Sequence, residues 1–410
     1  MPLAIIFLIL ILFVISIRNF LPVSLPIWLV MLFGAIAMVL TQQIGFIAAI
    51  HSIDMDIIFY LLGVFVIAQS VESCGLLEYL TEKLFSFNCS GWFLLFVIVF
   101  FLGLGSAVLM NDAVAIIGTP VILQLCRKQK VMASLLLMTL AYAVTLGSVL
   151  SPIGNPQNLL VAIKSGMHSP FLTFFVGLGL PTIINLGVLY FFIFILYRKQ
   201  LAQPLIKLSP VLMSDSRTVL AAQLSFYFFI LLIMAKIVLS LFQIEVDFAA
   251  IALISALPTL LLSRKRKHVL RHLDWGTLIF FIAMFVVMQS VWNSGFFQEW
   301  IYKFHVSVDN MLSIVVISTL LSQLISNVPL VALYIPLLQN VDATVSHYLL
   351  LAASSTLAGN IFIFGAASNI IIIQNAEKRG FKGLSIGLFS LLGIPLTIIH
   401  LSVYAFFLSL

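Results

Sequence analysis

Apolar runs of about twenty residues recur from one end of the chain to the other, and nothing else narrows the possible folds as far. In hydrocarbon no water is available to bond exposed backbone, so spanning segments must be helices or closed barrels. A barrel would show short alternating segments. These runs are continuous, so the chain reads as an all-α polytopic membrane protein. Composition agrees: 62% of the 410 residues are hydrophobic and 8% charged, against roughly 45–50% and about 25% in soluble domains. The net charge of +6 resides mainly in short loops between spans, which makes it a topology signal and not a nucleic-acid surface. Cys74, Cys89 and Cys126 are scattered, with no metal-ligand spacing and no disulfide framework. Pro2 to Ile17 lacks a basic n-region and a cleavage site, and reads as a retained first span.

Spans are expected at 2–17, 23–42, 54–72, 131–163, 171–197, 217–242, 246–263, 275–291, 346–373 and 384–409, with polar-interrupted segments at 90–126 and 309–339. That is about 10 transmembrane helices plus two re-entrant hairpins. Short amphipathic stretches, Leu76–Phe85 and Phe296–Phe304, precede the interrupted segments and are expected along the membrane interface. If each interrupted segment returns to the side it entered from, every Lys and Arg except Lys164, Lys236 and Lys303 lies on one side. The positive-inside rule puts that side in the cytoplasm of a cell-membrane protein with both termini extracytoplasmic.

The chain also repeats itself. Asp54, Phe65, Gln69, Ser70 and Gly75 recur at an offset of 220 as Asp274, Phe285, Gln289, Ser290 and Gly295. Ser106, Asn111 and Pro120 recur at 216 as Ser322, Asn327 and Pro336. Thr145, Gly154 and Asn158 recur at 211 as Thr356, Gly365 and Asn369. Residues 1–197 and 217–410 thus form two repeats joined by a polar cytoplasmic linker, 198–216. Each holds five spans and one hairpin, and five is odd. The repeats are therefore inverted, the arrangement of many secondary transporters.

The chemistry sits at four duplicated interruptions. Asn111 and Asp112 break one apolar segment, Ser326 and Asn327 the other. Thr145-Leu-Gly147-Ser148 through Gly154-Asn155-Pro156-Gln157-Asn158 carries two prolines and two glycines, and is expected to unwind in mid-membrane. Thr356-Leu-Ala-Gly359-Asn360 through Gly365-Ala-Ala-Ser368-Asn369 has no proline but enough small residues for a second break, giving two discontinuous helices. Freed carbonyls and Ser, Thr and Asn oxygens suit Na⁺, and half-helix N-termini favour anions. A carboxylate such as Asp112 at membrane depth marks an ion or proton pathway. It is the candidate proton-coupling residue, and its repeat counterpart is Val328. His400, deep in the last span, is expected to make an interhelical hydrogen bond, Lys236 to snorkel, and Gln69, Ser70, Gln289 and Ser290 to glue helices together.

Met110-Asn111-Asp112 with Thr119-Pro120, and Ser151-Pro152-Ile-Gly154-Asn155-Pro156-Gln157-Asn158, resemble motifs of the ion transporter superfamily. The second-half motifs fit best with its arsenite-permease and citrate-transporter-like branch, related to the divalent anion/sodium symporters. The resemblance covers nearly the whole chain. It implies an inverted repeat with two re-entrant hairpins, often in a homodimer working by an elevator motion. In the dicarboxylate symporters a Ser-Asn-Thr triplet at each hairpin tip binds substrate and Na⁺, and a hydroxyl five positions before the Asn also serves Na⁺. By resemblance Ser106, Asn111, Ser322 and Asn327 are Na⁺ candidates. The triplets depart from that pattern as Met110-Asn111-Asp112 and Ser326-Asn327-Val328.

The expectation is a secondary active transporter moving a small anion, an oxyanion or carboxylate, coupled to H⁺ or Na⁺ with no other cofactor. The alternatives are a Na⁺/H⁺ antiporter and a passive ion channel. No zinc-protease His-Glu-x-x-His and no paired intramembrane Asp occurs, so an enzyme is not expected.

Overall fold

The computed structural model describes the chain apart from residues 1, 18–25, 77–78, 80–89, 127–129, 203–214, 243, 245, 297–298, 300–307, 326, 364 and 382–383. Among the described residues the regular elements are helices. In order they are α1 (Leu3–Ile17), α2 (Ile27–Leu40), α3 (Phe46–Ser52), α4 (Met55–Ser73), α5 (Gly91–Leu109), α6 (Asn111–Leu125), α7 (Lys130–Ser148), α8 (Pro156–Lys164), α9 (Pro170–Leu201), α10 (Ser216–Leu241), α11 (Phe248–Leu262), α12 (Arg266–Arg271), α13 (Trp275–Asn293), α14 (Met311–Ile325), α15 (Asn327–Gln339), α16 (Val345–Leu357), α17 (Ala367–Lys378) and α18 (Ile386–Leu408). By length and composition α4, α5, α9, α10, α13 and α18 can each cross a membrane. Large apolar side chains such as Phe13, Phe33, Phe101, Phe175 and Leu231 are exposed, as lipid-facing residues are. Most of the stretches Leu76–Phe85 and Phe296–Phe304, and most of the linker, lie outside the described residues.

The repeat is visible in individual bonds. Asp54 Oδ1 accepts from Ile57 N at 3.2 Å and Asp274 Oδ1 from Thr277 N at 3.0 Å. Both aspartates cap the helix that follows. Gln69 Nε2 donates to Ser73 Oγ, and Gln289 Nε2 to Asn293 Oδ1, again 220 residues apart. These two glutamines therefore bond within their own helices, one turn on, instead of gluing neighbours together. Gly75 and Gly295 share a left-handed φ of +73° and +70°, which only glycine adopts freely. The short helices α3 and α12 are equivalent at the same offset, and both fall where the sequence reads as loop.

The chain forms two compact units. The first comprises Met1–Ser73, Ser216–Asn310 and Ala332–Val341. Helices α4 and α11 pack closely in it, and a Cβ on Gly63 would lie 2.5 Å from the Ala252 carbonyl carbon. Small residues let helices approach this closely where lipid supplies no hydrophobic drive. Thr259 Oγ1 joins Ser225 Oγ and Ser70 Oγ beside that contact, at 2.9 and 3.0 Å. Ser70 is thus interhelical glue, as expected; Ser290 Oγ has no partner among the described residues. The Lys236 ammonium reaches the loop between α10 and α11, where it bonds Val246 O and lies 4.4 Å from the centre of the Phe248 ring. The second unit comprises Cys74–Asp215, Met311–Val331 and Asp342–Leu410. It contains all four interruptions.

Candidate functional site

The first interrupted segment doubles back at Met110. Leu102 and Gly118, eight residues to either side, meet: a Cβ on Gly118 would lie 3.2 Å from Leu102 Cδ1. This is a helical hairpin. Met110 sits between the arms at φ +68°, ψ 146°, a region nearly reserved for glycine that costs about 1–3 kcal/mol. The tip is tied down, since Asn111 N donates to Gly154 O at 3.0 Å. The entering arm is clamped to α7. Ser106 Oγ lies 2.6 Å from Gly103 O and 2.8 Å from Val144 O, sharing its proton between them. Gly147 permits that approach, because a Cβ there would lie 1.9 Å from Gly103 O. Asp112 is half-buried in the first turn of α6, its N–H donating to Asn111 Oδ1 at 2.9 Å.

The first helix break is knitted shut by amides. After Ser148 the chain unwinds, and helix resumes at Pro156, whose missing N–H does no harm in a first turn. Asn155 Oδ1 caps α8 through Asn158 N at 2.9 Å, and its Nδ2 donates to Ser148 Oγ and Thr356 Oγ1. Asn158 Nδ2 donates to Ser148 O at 3.1 Å and Ser151 O at 3.0 Å. Gln157 Nε2 reaches Thr356 Oγ1 at 3.2 Å, so both halves of the sequence meet at that hydroxyl. Gly154 has no room for a side chain, with Ser148 O 2.1 Å from where its Cβ would be.

The second break follows α16, through a short 3₁₀ turn at Ala358–Asn360, with helix resuming at Ala367. Asn369 Nδ2 donates to Gly359 O at 2.8 Å. This is the Asn158–Ser148 bond again, 211 residues on. Beyond that bond the two copies differ. Six buried or half-buried oxygens around the second interrupted segment and break have no hydrogen-bond partner among the described residues: Ser322 Oγ, Gln323 Oε1, Asn327 Oδ1, Asn360 Oδ1, Ser368 Oγ and Asn369 Oδ1. An unmet buried acceptor forgoes about 1–3 kcal/mol, so these six are atoms that a bound cation or donor could use. Gln323 is fixed in place among them. Its Nε2 donates to Ala358 O at 2.7 Å and Thr319 O at 3.2 Å, and Oε1 lies 3.2 Å from where a Cβ on Gly365 would be.

Most of the sequence-derived residues are therefore brought together. Three qualifications come from the structure. Among the described residues the hydrogen bond of Thr145 Oγ1 is to Ala141 O, one turn back in its own helix. Ser326 lies outside the described residues. Gln323 was not anticipated, because its counterpart at 216 residues is Ala107 and no duplicated motif points to it. Gln157, inside a quoted motif, also joins the Thr356 network. No group of three or more His, Cys, Asp or Glu is gathered among the described residues. The donors are neutral oxygens, which suit hard alkali cations over transition metals. Helices α6, α8, α15 and α17 all begin at these interruptions, and their positive N-terminal ends favour an anion.

A hairpin that dips in and returns, helices that unwind in mid-span and polar atoms gathered at the interruptions define a polytopic membrane transporter. The chain belongs to the citrate transporter family, whose model matches residues 8–351. It is 26% identical over 384 residues to a 46 kDa membrane protein of Mycobacterium leprae, spanning 87% of this chain and 86% of that one. It is 23% identical over 438 residues to the silicon efflux transporter LSI3 of Oryza sativa subsp. japonica, spanning 90% and 89%. Among solved structures it matches the YdaH transporter of Alcanivorax borkumensis with a TM-score of 0.57 and 15% identity, over 99% of this chain and 96% of the other. That likeness concerns the fold, which its description calls an unusual topology.

Proposed function

We propose that the chain is a secondary active transporter working by alternating access of the elevator type, moving a small anion or an oxyanion or carboxylate in exchange or symport with Na⁺ or H⁺. The six unpartnered oxygens at the second interrupted segment and break carry this reading. Neutral oxygens at membrane depth are a place for a desolvated monovalent cation, and the helix N-termini at the same interruptions supply the complementary attraction for an anion. Asp112, at the first hairpin tip, is the proton-coupling candidate. On this reading residues 1–197 and 217–410 are inverted repeats, the protein works as a homodimer in the cell membrane, and both termini face away from the cytoplasm.

Candidate substrates are citrate, suggested by the family's description, silicic acid, suggested by the silicon efflux relative, and succinate and arsenite, suggested by the resemblance to the wider superfamily. The test is uptake into proteoliposomes of each compound in turn, under an imposed Na⁺ or pH gradient. Uptake of one of them that rises with a gradient is the expected result. Gradient-independent flux would replace this reading with a passive channel. Na⁺/H⁺ exchange with no co-substrate would replace it with an antiporter, the second reading, which Asp112 favours.

A further inference from the structure

Residues 264–271 hold most of the chain's surplus charge. Five of its 20 Lys and Arg fall there, Arg264, Lys265, Arg266, Lys267 and Arg271, and none of its 14 Asp and Glu. The octet therefore carries +5 and the rest of the chain together only +1. It includes α12 and leads into α13, a helix long and apolar enough to cross a membrane, so it stands where that helix begins. Its underside is seated on the protein. Val269 and Leu273 are buried, and Lys265 Nζ donates to Ser73 O, at the C-terminal end of α4, at 3.2 Å. On the outside Arg266, Lys267, Leu270 and Arg271 are exposed. Arg266, Lys267 and Arg271 have no ion-pair partner among the described residues. The carboxylate that follows in sequence, Asp274, is engaged elsewhere: Oδ1 accepts from Thr277 N at 3.0 Å and Oδ2 from Thr277 Oγ1 at 2.5 Å. Trp275 is exposed beside the charges, its indole N–H donating to Leu270 O at 3.0 Å. Indole rings settle at headgroup level.

The fold does not require this charge. Helix α3, equivalent 220 residues earlier, keeps a buried residue at the matching place, Ala49 for Val269. Yet it has Phe46, Ile47 and His51 where α12 has Arg266, Lys267 and Arg271. Phe46 and Ile47 are 69% and 72% exposed. One copy of the element thus presents hydrocarbon and the other presents cations. We infer that α12 docks on the headgroups of acidic phospholipids in the adjoining leaflet, through Arg266, Lys267 and Arg271. A guanidinium offers paired N–H donors to two phosphate oxygens, and an ammonium adds a point charge. A zwitterionic headgroup brings its own cation, which competes with these side chains for its phosphate. In the orientation expected from the positive-inside rule, the adjoining leaflet is the cytoplasmic one, where anionic lipid makes the surface negative. Each Lys or Arg close to such a surface strengthens the attraction about fivefold, or about 1 kcal/mol.

The test does not depend on what the chain transports. The full chain, purified in a neutral detergent, is melted with increasing phosphatidylglycerol, phosphatidylcholine or inorganic phosphate. Phosphatidylglycerol is expected to raise the melting temperature well beyond the other two. The triple variant Arg266→Gln, Lys267→Gln, Arg271→Gln should melt near wild type in phosphatidylcholine, and should need at least about tenfold more phosphatidylglycerol for the same rise. Arg198→Gln with Lys199→Gln, which removes two exposed charges from the end of α9, should respond like wild type. Equal protection by phosphatidylcholine, or an undiminished response in the triple variant, overturns the inference. So does an equal loss in the α9 variant, since net charge alone would then be acting. Equal protection by inorganic phosphate overturns it in favour of a free-anion site. If the triple variant does not fold, native mass spectrometry of Lys267→Gln and of Arg271→Gln decides. Each should retain about fivefold less phosphatidylglycerol than wild type, and unchanged retention overturns the inference.

Discussion

Gly147→Ala is the sharpest structural perturbation the first hairpin offers. The added methyl would sit 1.9 Å from Gly103 O and 2.4 Å from Gly103 C, against an ordinary contact of 3.4–4 Å. The obstacle is backbone, so no side chain can swing away. Helix α5 must retreat from α7 by about 1.5 Å, the difference between 1.9 and 3.4 Å. The same retreat stretches the 2.8 Å contact of Ser106 Oγ with Val144 O beyond hydrogen-bonding range. Overpacking costs about 1–3 kcal/mol, and the lost hydrogen bond about 0.5–1.5 kcal/mol more. The expected destabilisation is therefore about 2–4 kcal/mol. A melt of the purified protein in detergent measures it, with Gly105→Ala as the control on the same helix. Position 105 has nothing within 4 Å of a new Cβ, and exchanging glycine for alanine in a helix stabilises by up to about 1 kcal/mol. If Gly147→Ala melts like wild type, the close approach of α5 to α7 is wrong.

Asn158→Ala strips the donor from both Ser148 O and Ser151 O, whereas Asn369→Ala frees only Gly359 O. The former should destabilise by about 2–4 kcal/mol and the latter by about half as much; equal losses in the same melt would contradict the asymmetry of the two breaks. If Na⁺ occupies the proposed site, wild type should gain about 1.4 kcal/mol over K⁺ with Na⁺ at ten times its dissociation constant, and Gln323→Leu should abolish that gain. A Gln323→Leu protein that melts lower yet keeps the full Na⁺ increment would exclude Gln323 as a cation ligand. Asp112→Asn should leave the melt near wild type and remove the response of uptake to a pH gradient. Retained pH-driven uptake would take Asp112 out of the coupling.

What sequence reasoning could reach follows from what each interruption is made of. The breaks at 149–155 and 361–366 were legible because Pro152, Pro156 and clustered glycines and amides do not belong in a continuous buried helix. The hairpin tip at Met110 was legible from Asn111 and Asp112, and the positive φ that turns the chain there was not, since methionine announces no such conformation. Gln323 lay one residue after a recognised serine, and its importance depends on two carbonyls, Thr319 O and Ala358 O, that converge only in three dimensions. The contact of Gly103 with Gly147 was hidden likewise, because a glycine in an apolar run reads only as a small residue. Helices α3 and α12 are a turn or two long, and His51 or a run of Lys and Arg beside them reads as loop. The partners of Gln69 and Gln289 were misjudged because a polar side chain in a span can turn to its own helix as readily as to a neighbour.

The difference between the two breaks also bears on handling the molecule. The first carries its own amide cross-links and gives up little when nothing is bound. The second leaves six oxygens unmatched among the described residues, so on the proposed reading its order depends on what the surrounding solution provides. Detergent preparations made without the right salt would then lose the second half's active geometry first, while total helix content stayed nearly constant. Screening monovalent salts during extraction, before any search for a substrate, is the practical corollary.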